Sequence, residues 1–196
     1  MKDISCRLET GQLVVLMGAN GSGKSTLAKV LTGIITPESG TITLNQEKLQ
    51  NGWRGVGYLL QNCDEQFLTG NVEREIAFGL ENQALSGEII EQRVEEALDR
   101  LRLHSIRRQP PERLSDAEKQ LTAFASVWAM KAQFIILDEA TAYLDPAGKR
   151  LVIDAAQELR REAGILWITS RRKDIINADE LWILENHRLE VGVNGY

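Results

Sequence analysis

Residues 18–25 read Gly18-Ala19-Asn20-Gly21-Ser22-Gly23-Lys24-Ser25, followed by Thr26, and fit G-x-x-x-x-G-K-[ST] at every fixed position. Glycines at these places let successive backbone N–H groups turn inward around a polyphosphate with no Cβ in the way. Lys24 is placed to bridge the β and γ phosphates, and the Ser25 hydroxyl to hold Mg²⁺. The chemistry implied is a nucleoside triphosphate site with Mg²⁺. A second chemical stretch is Asp138-Glu139, set directly after the apolar run Phe134 to Leu137. Asp138 would support the metal, directly or through water. Glu139 would polarise a water for attack on the γ-phosphate, the general-base role.

Both sets of residues need elements that present them. The run Leu13 to Met17 is strand-sized and precedes the glycine loop, while Leu27, Val30 and Leu31 follow at helical spacing with Gly33 as a stop. That is the strand, loop and helix the loop chemistry requires. Phe134 to Leu137 is a second buried strand, and it delivers its acids at the end where ligands of parallel sheets gather. A third strand, Gly164 to Thr169, follows a helix expected from about Pro146 to Glu162. Strand and helix alternating in this order predict an α/β fold with a parallel sheet and right-handed crossovers. Between the two chemical stretches, Ile90, Val94, Ala97, Leu98 and Leu101 share one face of an amphipathic helix. A helix from Ser115 to Met130 completes a helical lobe, and the Pro110-Pro111 stretch is a loop before it.

The composition bounds what partners are possible. With 196 residues the chain fits one domain. Its 43% hydrophobic and 26% charged content is that of a globular protein, and its net charge of -5 lacks the basic footprint of nucleic-acid binding. Cys6 and Cys63 form no metal-binding spacing and read as reduced thiols of a cytoplasmic protein. No signal peptide or membrane-length apolar run is present, so work at a membrane would require a partner.

The order of the glycine loop, Gln61 in "VGYLLQN", "LSDAEKQ", "IILDEAT" and "AYLD" resembles the ABC-type ATPase family along essentially the whole chain. Within it, "QNCDEQFLTGNVEREIAFGLEN" is most similar to ATPase subunits of energy-coupling-factor transporters, importers of vitamins and metal ions such as cobalt or nickel. The resemblance implies a P-loop NTPase fold with a small antiparallel β part near the N-terminus. It implies a core lobe of about 1–62 and 131–196 and a helical lobe of about 63–130. Gln61 would reach the Mg²⁺ and the attacking water. Asp64 to about Leu80 would dock a membrane subunit, and Asp145 would sit where two ATPase domains meet. Ser115 would reach the γ-phosphate held by the other domain. The implied partners are transmembrane transporter subunits and a second ATPase chain, identical or different, at the cytoplasmic face of the membrane.

The departures from the family pattern matter as much as the matches. The signature LSGGQ is here Leu114-Ser115-Asp116-Ala117-Glu118. An Asp116 carboxylate turned toward phosphate, about 6 Å away, would cost about 3 kcal/mol per charge pair at an effective dielectric of about 20. Ser115 with Glu118 also makes a capping box, which satisfies the helix start without any ligand. Ser170 stands where the family has a histidine on the γ-phosphate, and neither His104, near a helix end, nor His187, in a turn, can replace it. Cys63 stands where the subgroup has proline. Seventeen residues precede Gly18, without the earlier strand whose aromatic residue stacks on adenine, which leaves base recognition unaccounted for. In a sandwich dimer the histidine position serves the chain's own ATP and the signature serves the partner's. Pairing with an intact relative leaves one defect per site, so the expectation is a heteromeric assembly with this chain as the weaker member. The competing expectation is a non-hydrolysing, ATP-dependent dimerisation module.

Overall fold

The computed structural model describes residues 1, 3–48, 55–171 and 177–193. Apolar, β-branched runs bounded by turn residues become strands. These are β1 (Leu13–Met17), β4 (Val56–Leu59), β5 (Phe134–Asp138), β6 (Gly164–Thr169), β7 (Glu180–Glu185) and β8 (Arg188–Val193). They form one sheet in the order β4-β5-β6-β1-β7-β8. All neighbours in it are parallel except β7 and β8, which make a hairpin. A short antiparallel pair, β2 (Thr43–Leu44) and β3 (Glu47–Lys48), stands apart from it.

Alternation along β1 divides the interior between the two faces of the sheet. Leu13 and Val15 point into the larger core, and Val14 and Leu16 into a smaller one with Leu27 and Ala28 of α1 (Lys24–Leu31). Burying each such side chain contributes about 1.5–3 kcal/mol. The larger core takes α2 (Val72–Glu81), α3 (Gly87–Leu101), α4 (Asp116–Ala129) and α5 (Pro146–Leu159). On α3 the expected face is buried at Val94, Ala97, Leu98 and Leu101, while Ile90 is only half-buried.

Two expected boundaries move. β5 runs one residue further and takes in Asp138, because its ladder with β6 pairs Asp138 with Ile168. α5 ends at Leu159 rather than Glu162. The Arg160 guanidinium there is drawn to the carbonyls of Gly11 and Asn177, each at 3.1 Å, and to Asp179. The N–H groups of Glu162 and Ala163 then close a turn on Leu159 O that hands the chain to β6.

Parallel order brings four strand ends to one side. Gly18 follows β1, Gln61 follows β4 after one residue, Asp138 closes β5 and Ser170 follows β6. The residues expected to do chemistry therefore meet at the carboxyl edge of the sheet, where ligands of such folds bind.

Candidate functional site

The loop after β1 is built for close approach. A Cβ on Gly18 would lie 2.4 Å from Leu184 O and 2.7 Å from Ser22 Oγ, so no side chain fits there. Gly21 (φ 80) and Gly23 (φ 105) adopt left-handed backbone that glycine takes without strain. Gly23 caps α1 with no side-chain acceptor, leaving the first amides of the helix to an anion. Lys24 is almost buried, and its ammonium donates to Gly18 O (2.8 Å) and Ala19 O (3.1 Å) inside the loop.

A cavity of about 380 Å³ opens beside this loop, lined by Asn20, Gly21, Gly23, Lys24, Ser25, Thr26, Gln61, Asp138 and Glu139. The structure thus gathers most of the sequence-derived site into one space. Gly18 and Ala19 meet it through the carbonyls that hold Lys24, and the Ser22 hydroxyl is buried without a partner. Ser25 Oγ lies 3.5 Å from Gln61 Oε1.

Asp138 is 1% exposed, and its Oδ2 has no hydrogen-bond partner. Burial raises its carboxyl above the ordinary range. The hydroxyl of Ser25, the ammonium of Lys24 and the hydroxyl of Tyr58 oppose that rise, and the charge of Glu139 adds to it. An orphaned, buried carboxylate oxygen beside a hydroxyl and an amide oxygen is a donor set that fits a hard divalent cation. Among the described residues there is no group of three or more His, Cys, Asp or Glu that could hold a metal ion. Because burial disfavours the charged form of Asp138 and its Oδ2 has no hydrogen-bond partner, Asp138→Asn is expected to raise the melting temperature of the ligand-free protein. A gain of each kcal/mol would read as about 2–4 °C in a chain of this size, and an unchanged or lower value in differential scanning fluorimetry would show that the charge is already compensated.

Glu139 sits in left-handed backbone (φ 53), an unfavourable conformation for this residue, and its N–H donates to Ile168 O (2.9 Å). Its carboxylate accepts from the backbone N–H of Ser170 (2.7 Å), with Thr169 Oγ1 at 3.4 Å. Thr169 and Tyr58 were not singled out in the sequence, although Thr169 adjoins Ser170 and Tyr58 lies three residues before Gln61. Burial, then the charge of Asp138, pushes the Tyr58 hydroxyl above its ordinary range and keeps it a neutral donor.

Ser115 is not among the residues that line the cavity. It is exposed at the N-cap of α4, where its Oγ donates to Glu118 Oε2 (2.7 Å) and accepts from Glu118 N (3.3 Å). Glu118 Oε2 also accepts from Ser115 N (2.8 Å), so the capping box is closed. Asp145 caps α5 by accepting from Gly148 N at 2.7 Å.

A protein-family profile described as "ABC transporter" matches residues 1–142. The chain belongs to the ABC transporter family. It is 39% identical over 196 residues to the energy-coupling factor transporter ATP-binding protein EcfA1 of Enterococcus faecalis, covering 96% of this chain and 70% of that protein. The EcfA1 of Listeria monocytogenes serotype 4b is 39% identical over 193 residues, covering 95% of this chain and 69% of that protein. Among solved structures, cbiO1 from Clostridium perfringens, part of the ABC transporter complex cbiONQ, is 29% identical with a TM-score of 0.80, over 97% of this chain and 80% of that one. An ATP-binding subunit of an ABC transporter superposes with a TM-score of 0.89 at 26% identity, over 97% of this chain and 82% of that one. This ABC transporter chain is an ATP-binding, transport-coupled ATPase with the P-loop NTPase fold that the sequence implied. No helix among its described residues is long and apolar enough to cross a membrane.

Proposed function

We propose that this ATPase chain energises an importer of the energy-coupling-factor kind and is the weaker of two paired ATPase chains. The similarity to EcfA proteins along nearly the whole chain supports the first part. The closed Ser115–Glu118 cap supports the second, because the hydroxyl that would donate to a partner's γ-phosphate already donates to Glu118. Gly18 to Thr26 bind the phosphates of ATP through loop amides, the α1 N-terminus and the Lys24 ammonium. Ser25, Gln61 and Asp138 would hold Mg²⁺, which neutralises charge on the β- and γ-phosphate oxygens when bound. Glu139 serves as general base, and Gln61 orients the attacking water. The chain is one domain with a core lobe of about 1–62 and 131–196 and a helical lobe of about 63–130.

The segment from Asp64 to about Leu80 docks a membrane subunit at the cytoplasmic face. Its apolar side chains Leu68 (69% exposed) and Phe78 (41% exposed) support this. The buried carboxylate of Glu75 fixes the loop by accepting from Leu68 N (2.9 Å) and Thr69 N. ATP turnover is expected to be slight for the chain alone and to appear once it is mixed with its co-purifying membrane and ATPase partners. Vigorous turnover by the chain alone would overturn the pairing. The same cap also favours a second reading, a clamp that binds ATP without hydrolysing it, and absence of turnover in every mixture would establish that one.

A further inference from the structure

The side chain of Gln120 on α4 is 1% exposed and uses both ends of its amide. Its Oε1 accepts from the thiol of Cys63 at 3.0 Å. Its Nε2 donates to Ala140 O at 3.1 Å and lies 3.5 Å from Glu139 O. Cys63 is buried and lies two residues past Gln61. Two more contacts tie the same segment to α4. Lys119 Nζ pairs with Asp64 at 2.7 Å. Gln66 Nε2 donates to Ala123 O (3.2 Å) and Ser126 Oγ (3.0 Å), while Gln66 Oε1 accepts from Leu60 N (3.3 Å).

Of these bridges, the one through Gln120 continues to the catalytic acid. The left-handed Glu139 peptide is held at its N–H by Ile168 O and, one residue on, at the Ala140 carbonyl by Gln120. We propose that Gln120 is a positioning residue for ATP hydrolysis: through its amide, the segment carrying Gln61 and the peptide carrying Glu139 keep a fixed relative placement. The bridge starts on the helix whose N-cap is Ser115. A shift of α4 therefore moves both sides of the cavity together. The inference rests on the ATPase activity of the family and on Gln61 and Glu139 acting in it, and not on which chain is the partner.

The test replaces Gln120 by Met, which fills the same volume and deletes both hydrogen-bonding ends. In the chain assembled with its partners, Q120M is expected to lower kcat by roughly 10- to 10²-fold, the scale of a sub-ångström to ångström misplacement of reacting groups. KM for ATP should hold within about twofold, because the phosphate loop is untouched. Cys63→Ser, which keeps a donor to Oε1, should hold kcat near the parent value, whereas Cys63→Ala should lower it. A second readout needs no turnover. Amide hydrogen exchange on adding Mg-ATP should slow in segments 18–26, 60–66 and 138–144 of the parent chain, but only in 18–26 of Q120M. Unchanged kcat with parent-like exchange would overturn the proposal. So would equal losses in kcat, ATP affinity and melting temperature, which would make Gln120 a packing residue only. A parent assembly with no turnover would count against hydrolysis itself, and the exchange pattern would still decide the role of Gln120.

Discussion

Replacing Glu139 by glutamine is expected to lower ATP turnover of the assembled transporter by about 10²–10⁴-fold, the usual contribution of a general base, with ATP affinity unchanged. Glutamine matches glutamate in size, and its amide oxygen can keep accepting from Ser170 N, the 2.7 Å contact that orients the carboxylate. The remaining NH₂ faces Thr169 Oγ1, which can accept from it in place of the present 3.4 Å contact. Geometry is therefore retained while basicity is lost, and the backbone of residue 139 still donates to Ile168 O. Single-turnover measurement with radiolabelled ATP, beside equilibrium binding of the same nucleotide, separates the two effects. Turnover within about twofold of the parent would remove Glu139 from the chemistry. A parallel loss of ATP binding would give it a structural role instead.

Much of this site could be read from residue order because its parts are local. The glycine loop is contiguous, its strand and helix lie on either side, and the acids directly follow an apolar run. The capping box was equally legible, since Ser115 and Glu118 stand three residues apart and the structure closes both of its hydrogen bonds. What order in sequence does not carry is adjacency in space. The placement of β1 between β6 and β7 depends on pairings across more than 150 residues, such as Leu13 with Ile165. The Gln120 bridge joins positions 57 and 20 residues away, and no periodicity marks a side chain that works through both ends of an amide. The early end of α5 was hidden for the same reason, because the partners that hold Arg160 lie at Gly11, Asn177 and Asp179. The contact between Ser170 N and Glu139 is another case. Substitution of the side chain suggested a loss at position 170, yet its backbone amide is what holds the acid.

That division of labour at position 170 sets up the second large effect. Ser170→His is expected to raise kcat of the assembled protein by up to about 10²–10³-fold, the scale associated with one preorganised transition-state donor. The side chain of Ser170 is exposed at the end of β6, so an imidazole can be accommodated without disturbing the core. The backbone N–H that anchors Glu139 is present in either residue, and Arg171 N continues to donate to Thr169 Oγ1 (3.1 Å). The substitution thus adds a donor, one able to carry charge, to a site whose base is already in place. Because that donor acts on developing charge rather than on ground-state ATP, KM should change little while kcat rises. A rise in the assembled form that disappears in S170H/E139Q would place the histidine in the same chemical step as Glu139. If S170H leaves kcat unchanged while folding normally, then serine is not what limits this chain. The limit would then lie in the signature face, and the matching gain should come from glycines in place of Asp116 and Ala117.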